Sequence, residues 1–157
     1  MKKISKCFIK NTDGSVCTFP YNPNDNYYSY VQEYIAQGYH QCIFTSDILM
    51  AMADLIIKDH HGNVSEIELL EDDEELKGEI DTLVKKVSHN KAYWADVQKT
   101  IAFLSDSESI DISKIELCGE ENGWYRITLH MNGITETEGD TQGHFAKILE
   151  KVIGARV

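Results

Sequence analysis

The stretch EIELLEDDEELKGEID, residues 66–81, is where the pattern of the chain changes. Its first half alternates: Glu66 and Glu68 fall on one side of an extended chain and Ile67 and Leu69 on the other, as in a half-exposed strand over residues 64–70. Its second half opens a helix over residues 72–89, in which Leu76, Ile80, Leu83, Val84 and Val87 recur at i, i+4, i+7, i+8 and i+11. The same stretch holds nine of the 26 acidic residues and one lysine, a net eight of the chain's eleven surplus negative charges.

Upstream, residues 3–10 and 15–19 read as strands around the turn cluster Asn11-Thr12-Asp13-Gly14, which sets Ile9 opposite Val16 and Phe8 opposite Cys17. Pro20 and Pro23 end the second strand. An Asn/Asp-rich loop then offers caps to a helix over 25–37, with Val31, Tyr34 and Ile35 on one face and Gly38 beyond its end. Residues 39–44 read as a short strand. Ser46 is the expected cap of a helix carrying Ile48, Leu49, Met52, Leu55 and Ile56, ending near His61 with Gly62 in the left-handed position.

Downstream, Ser88-His89-Asn90 separates the central helix from a second one with the stripe Trp94, Val97, Ile101 and Leu104. So short a link implies an antiparallel helical hairpin. Strands over 110–118 and 124–131 flank the turn at 119–123, with Tyr125, Ile127, Leu129 and Met131 on one face. Asn132-Gly133 then signals a hairpin. A two-residue loop there would set Glu136 opposite Leu129 on the apolar side, so either that end is frayed or the loop is longer. A last helix, capped at Asp140 or Thr141, carries Phe145, Ile148, Leu149, Val152 and Ile153.

The order ββαβαβ, αα, βββα predicts an α+β fold: a mainly antiparallel mixed sheet with about five helices, including the central helical hairpin. One domain over residues 1–157 is expected, and a subdomain boundary, if there is one, belongs near residues 70–72. A chain of 157 residues buries roughly two thirds of its unfolded surface, enough for a core without staples.

No window reaches the roughly 18 apolar residues of a membrane span, and the apolar run between Lys6 and Lys10 is too short for a signal peptide. The expected compartment is the cytoplasm. There Cys7, Cys17, Cys42 and Cys118, each among apolar neighbours and matching no zinc spacing, are expected as buried free thiols. A net charge of −11 opposes direct binding to nucleic acid or an anionic membrane, and suits a basic partner.

None of the common nucleotide-binding, zinc-protease, nucleophile-elbow or calcium-loop motifs occurs. His60 and His61 diverge on a regular helix and read as a polar helix end, favoured by the negative dipole terminus. His40 and Cys42 share a strand face, but Cys42 reads as core. No catalytic residue, metal or cofactor is expected. Of the four tyrosines in the first helix, Tyr27, Tyr28, Tyr30 and Tyr34, some should pack on the sheet, with Tyr30 the one expected at the surface and available to a partner.

The acidic run has an ordinary purpose, since carboxylates in the first turn and Lys85 and Lys86 in the last complement the helix dipole. Pairs such as Asp73 with Lys77 add a few tenths of a kcal/mol each. The run exceeds that purpose: Glu71, Asp72, Asp73, Glu74 and Glu75 are consecutive, Glu75 repels Glu79, and Glu66 and Glu68 extend the field. These residues, with Tyr30, are the candidate partner-binding set. The leading expectation is a small non-enzymatic inhibitor, of the immunity or anti-defence kind, that covers a basic nucleic-acid-handling protein. The alternatives are a non-inhibitory interaction or scaffold subunit, with a homodimer as one form of it, and a small enzyme or ligand module using His60, His61 or Cys42.

Overall fold

The computed structural model describes residues 2–139 and 144–154. The elements run β1 (Lys3–Lys10), β2 (Val16–Pro20), α1 (Tyr27–Ala36), β3 (Tyr39–Gln41), α2 (Ser46–Asp59), β4 (Gly62–Leu69), α3 (Glu74–His89), α4 (Trp94–Ser107), β5 (Ile112–Glu120), β6 (Trp124–His130), β7 (Ile134–Glu138) and α5 (His144–Gly154). A single 3-10 turn, Lys91–Tyr93, joins the adjacent α3 and α4. The fold is α+β, with the expected element order.

The sheet has seven strands in the order β2-β1-β7-β6-β5-β4, with β3 also pairing β1, and every pairing is antiparallel. β7 and β3 share one edge of β1: β7 pairs Lys3 to Lys6, and β3 pairs Phe8 to Lys10. The register then fixes two faces. Ile67, Ile115, Leu129 and Thr135 form one cross-strand row, and Glu66, Glu116, Thr128 and Glu136 form the next.

The first row belongs to the main core, where Cys7, Ile115, Leu117, Ile127 and Leu129 meet apolar residues of α2, α3, α4 and α5. The stripes read from the sequence supply it: Ile80, Val84 and Val87 from α3, and Trp94, Val97, Ile101 and Leu104 from α4, are all buried. Phe8 points the other way and packs against Phe19, Tyr30, Tyr34 and Tyr39, so α1 covers the opposite face at the β1–β2 end. The rest of that face, over β4 to β7, carries charged side chains.

Several boundaries differ from expectation for local reasons. The first hairpin has the predicted register, Ile9 to Val16 and Phe8 to Cys17. In α2 the cap is Thr45, because Ser46 is buried and its hydroxyl accepts from Ile112 N–H at 2.9 Å while donating to Asp111 at 2.9 Å. The left-handed residue after α2 is His61 (φ 54°), not Gly62. Gly62 is needed instead for close approach, since a Cβ there would lie 2.4 Å from Ile56 Cγ2.

The β6–β7 loop is longer than two residues. Leu129 pairs with Thr135 and Thr128 with Glu136, so the loop is Met131–Gly133 with Gly133 at φ 85°. That single extra residue turns Glu136 outward and buries Thr135. The caps expected at Asp140 and Thr141 lie outside the described residues.

Candidate functional site

The acidic stretch folds into a strand, a turn and a helix start that together wall a groove. Asp73 is the N-cap of α3, its carboxylate accepting from Leu76 N–H at 3.1 Å. Glu74 and Glu75 form the first turn, so the helix begins two residues later than the sequence suggested. Glu71 and Asp72 belong to the turn, not to the helix, and this bends the run of five carboxylates around a corner.

The groove beside this corner has a volume of about 730 Å³, and its walls bring together Glu66, Glu68, Glu71, Asp72, Asp73, Glu74 and Asp81 against Lys77 and Lys114. Leu70, an apolar side chain 59% exposed, stands at its lip. β4 is the terminal strand of the sheet, so the groove lies at the end of the molecule with no strand beyond it among the described residues. Of the nine candidate partner-binding residues, six line the groove. Glu75 and Glu79 are exposed on α3 but outside it.

Tyr30 requires correction. It is half-buried, meets Tyr21 edge-on and Tyr34 at a tilt, and donates to Pro20 O at 2.8 Å. Burial raises its hydroxyl pKa above the ordinary value. The exposed tyrosine is Tyr28, at 72%, and Ile35 on the same outward side is 41% exposed. The inward face of α1 runs through Tyr27, Tyr30, Val31 and Tyr34. Tyr30 was expected outward because it lies off the Val31, Tyr34 and Ile35 face; it turns inward because backbone acceptors on β2 satisfy its hydroxyl.

The groove is not uniformly anionic. Lys114 on β5 lies 2.9 Å from Glu66 and 3.5 Å from Glu68, and its hydrogen bond to Glu66 holds the ammonium above its ordinary pKa. Glu116, directly opposite Glu66, is in turn met by Ser65 at 2.9 Å and Arg126 at 3.6 Å. Lys114 was not singled out in the sequence; its signal was the strand alternation that puts it on the polar face beside Glu68. The expected Asp73–Lys77 pair is not among the ion pairs of the described residues. The uncompensated part of the site is therefore Glu71, Asp72, Glu74 and Asp81.

Elsewhere, His40 turns to Asn11 at 2.6 Å and is not paired with Cys42, whose backbone N–H instead donates to Cys7 O at 3.2 Å. His60 meets Glu121 at 3.2 Å. Among the described residues no group of three or more His, Cys, Asp or Glu is placed to hold a metal ion, and no helix is long and apolar enough to cross a membrane. All four cysteines are free; Cys7 and Cys42 are buried, whereas Cys17 and Cys118 are only partly covered, contrary to expectation.

Nothing in the local sequence marks Lys6 as a core residue. Lys6 is fully buried, with its ammonium donating to Asn132 O and lying 5.6 Å and 5.8 Å from the Phe8 and Tyr27 ring centres. Burial lowers its pKa to about 8, against smaller raising effects from Cys7 and Cys42.

Comparison of the chain with protein-family models, with curated proteins and with solved structures finds no match.

Proposed function

We propose that this protein acts in the cytoplasm as a non-enzymatic inhibitor that binds a basic, nucleic-acid-handling partner protein through the groove between β4 and the start of α3. The observation that carries the reading is the groove lining, seven carboxylates against two lysines, with Lys114 already engaged by Glu66 and Glu68. Over a Debye length near 8 Å such charges act on a partner as one patch. They speed association with basic surfaces and repel phosphate backbones, so the protein competes with nucleic acid for its partner and does not bind the nucleic acid itself.

The test is capture from the native host with the protein and with a Glu71→Lys, Asp72→Lys, Glu74→Lys variant. These positions spare the Asp73 cap and the carboxylates held by Lys114. The captured partner should be basic, released by salt, lost by the variant, and inhibited on nucleic acid by stoichiometric protein. A partner held equally by both proteins would remove the groove from the reading, and one whose activity is untouched would remove the inhibition.

A second reading, a non-inhibitory interaction or scaffold subunit, draws on the exposed Tyr28 and Ile35 of α1. Sedimentation of the purified protein and of a Tyr28→Ser variant tests its homodimeric form: a monomer in both cases counts against that form.

A further inference from the structure

Cys7 and Cys42 occupy directly opposed positions on neighbouring segments of chain. The β1–β3 register runs Lys10 to Tyr39, Ile9 to His40 and Phe8 to Gln41, and the next pair is Cys7 with Cys42. The Cys42 N–H donates to Cys7 O at 3.2 Å, so the pairing extends to these residues although β3 has formally ended. Opposed residues point to the same face of a sheet, and both thiols lie in the main core, at 0% and 3% exposure. Only one bond of the pair is present, since the Cys7 N–H goes to Gly133 O at 2.9 Å, and Cα atoms of opposed antiparallel residues stand about 4.5–5.5 Å apart, inside the range a disulfide spans.

We propose that Cys7 and Cys42 form a reversible disulfide when the protein meets hydrogen peroxide, making the β1–β3 junction a redox-modification site. The Cys42 thiolate attacks the peroxide: an S–O bond forms, the O–O bond breaks, and the leaving hydroxide takes a proton to become water. The Cys7 sulfur then loses its proton and attacks the sulfenic sulfur of Cys42. The S–S bond forms, the S–O bond breaks, and a second water leaves. Two thiols are oxidised to one disulfide and one hydrogen peroxide is reduced to two waters.

The surroundings favour this order of events. A hydrogen bond from Cys7 lowers the Cys42 thiol below its ordinary value despite burial, and the nearby Lys6 charge lowers it further. The same hydrogen bond and burial push the Cys7 thiol up. Cys42 is therefore the attacking sulfur and Cys7 the resolving one. The closed loop contains β2 and α1, so oxidation ties the aromatic layer over β1 to the segment that leads into α2.

The test uses a Cys17→Ser, Cys118→Ser variant, which removes only the two partly exposed thiols. The folded variant is treated with hydrogen peroxide, unfolded, and its free thiols are counted and its mass measured. Both thiols should disappear together, the monomer should lose two hydrogens, and dithiothreitol should restore the starting mass. In the same background Cys7→Ser, which keeps a donor beside Cys42, should leave Cys42 trappable by dimedone, whereas Cys42→Ala should leave Cys7 unreactive. Two intact thiols after peroxide, or oxygen added to one cysteine without an S–S bond, would overturn the proposal. Equal trapping of the two single-cysteine proteins would overturn the assignment of Cys42 as the attacking sulfur.

Discussion

The Lys114 ammonium lies 2.9 Å from the Glu66 carboxylate, diagonally across β4 and β5. This contact divides the acidic surface into a strand half that is compensated and a turn half that is not. Replacing Lys114 with Gln leaves Glu66, Glu68 and Glu116 facing one another, and it should cost about 0.5–1 kcal/mol, more at low ionic strength. Because the folded ammonium is held above its ordinary 10.5, its contribution is fully present below that pH and fades as pH rises through the folded value. Urea titrations of both proteins at low and high salt check this. An equal cost at the two salt concentrations would show that Lys114 acts by packing, not by charge.

Lys6 makes the opposite prediction, that removing a charge stabilises the fold. Its pKa falls from 10.5 to about 8 in the folded state. Between those values the unfolded chain holds the proton and the folded chain does not, so stability rises with pH across that window. Below it, desolvation of the ammonium costs roughly 3 kcal/mol. Lys6→Met removes that cost and leaves Asn132 O without its donor, a loss of about 1 kcal/mol. The variant should therefore be more stable at pH 7 by about 1–2 kcal/mol, equivalent to a Tm increase of a few degrees. Its stability should not rise between pH 8 and 10.5. A destabilised variant would mean that the ammonium supports the β6–β7 loop more than burial penalises it.

Gly62 and Gly119 are register partners at the end of β4 and β5, and the Tyr125 hydroxyl fills the space beside them while donating to His60 O at 2.8 Å. A Cβ on Gly119 would stand 2.6 Å from Tyr125 Oη and 2.7 Å from His61 O. Gly119→Ala should cost about 1–3 kcal/mol through overpacking. Tyr125→Phe should cost about 1 kcal/mol for the lost hydrogen bond. Combined, the two should cost less than their separate effects, because the first clash then loses its hydroxyl partner. Strict additivity in a double-mutant cycle would show that the contacts phenylalanine leaves in place, His61 O and the ring carbon Cζ at 2.8 Å, set the penalty.

The periodic elements were legible in the sequence because their apolar residues repeat at a spacing that admits one buried face. The α3 and α4 stripes and the β1–β2 register follow directly. Cues that depend on a distant partner were not legible. Nothing near Ser46 in sequence announces Asp111 and Ile112, which turn a predicted cap into a buried link. Likewise Tyr30 reads as outward until the β2 carbonyls that accept its hydroxyl are in place. The candidate site was legible as composition. Its shape was not, because the corner at Glu71 and Asp72 and the Lys114 contact both depend on where β5 lies.

Glu136 tests the one register that the sequence left open. With the loop at Met131–Gly133, its carboxylate faces outward and meets His130 Nε2 at 2.7 Å and Lys2 Nζ at 3.2 Å. Burial alone would raise this carboxyl, but the His130 and Lys2 contacts outweigh it and hold the group below its ordinary 4.5. A carboxyl depressed on folding adds stability above its unfolded value and loses it as pH falls through the folded one. Glu136→Gln should therefore cost about 1 kcal/mol at neutral pH, where a partly covered charge-assisted contact is lost. The two proteins should converge in stability as pH drops below 4.5. Chemical denaturation between pH 3 and 7 measures the difference. A gap that persists unchanged into acid would mean that Glu136 contributes through shape, and a gain in stability from Glu136→Leu would mean that it faces the apolar side after all.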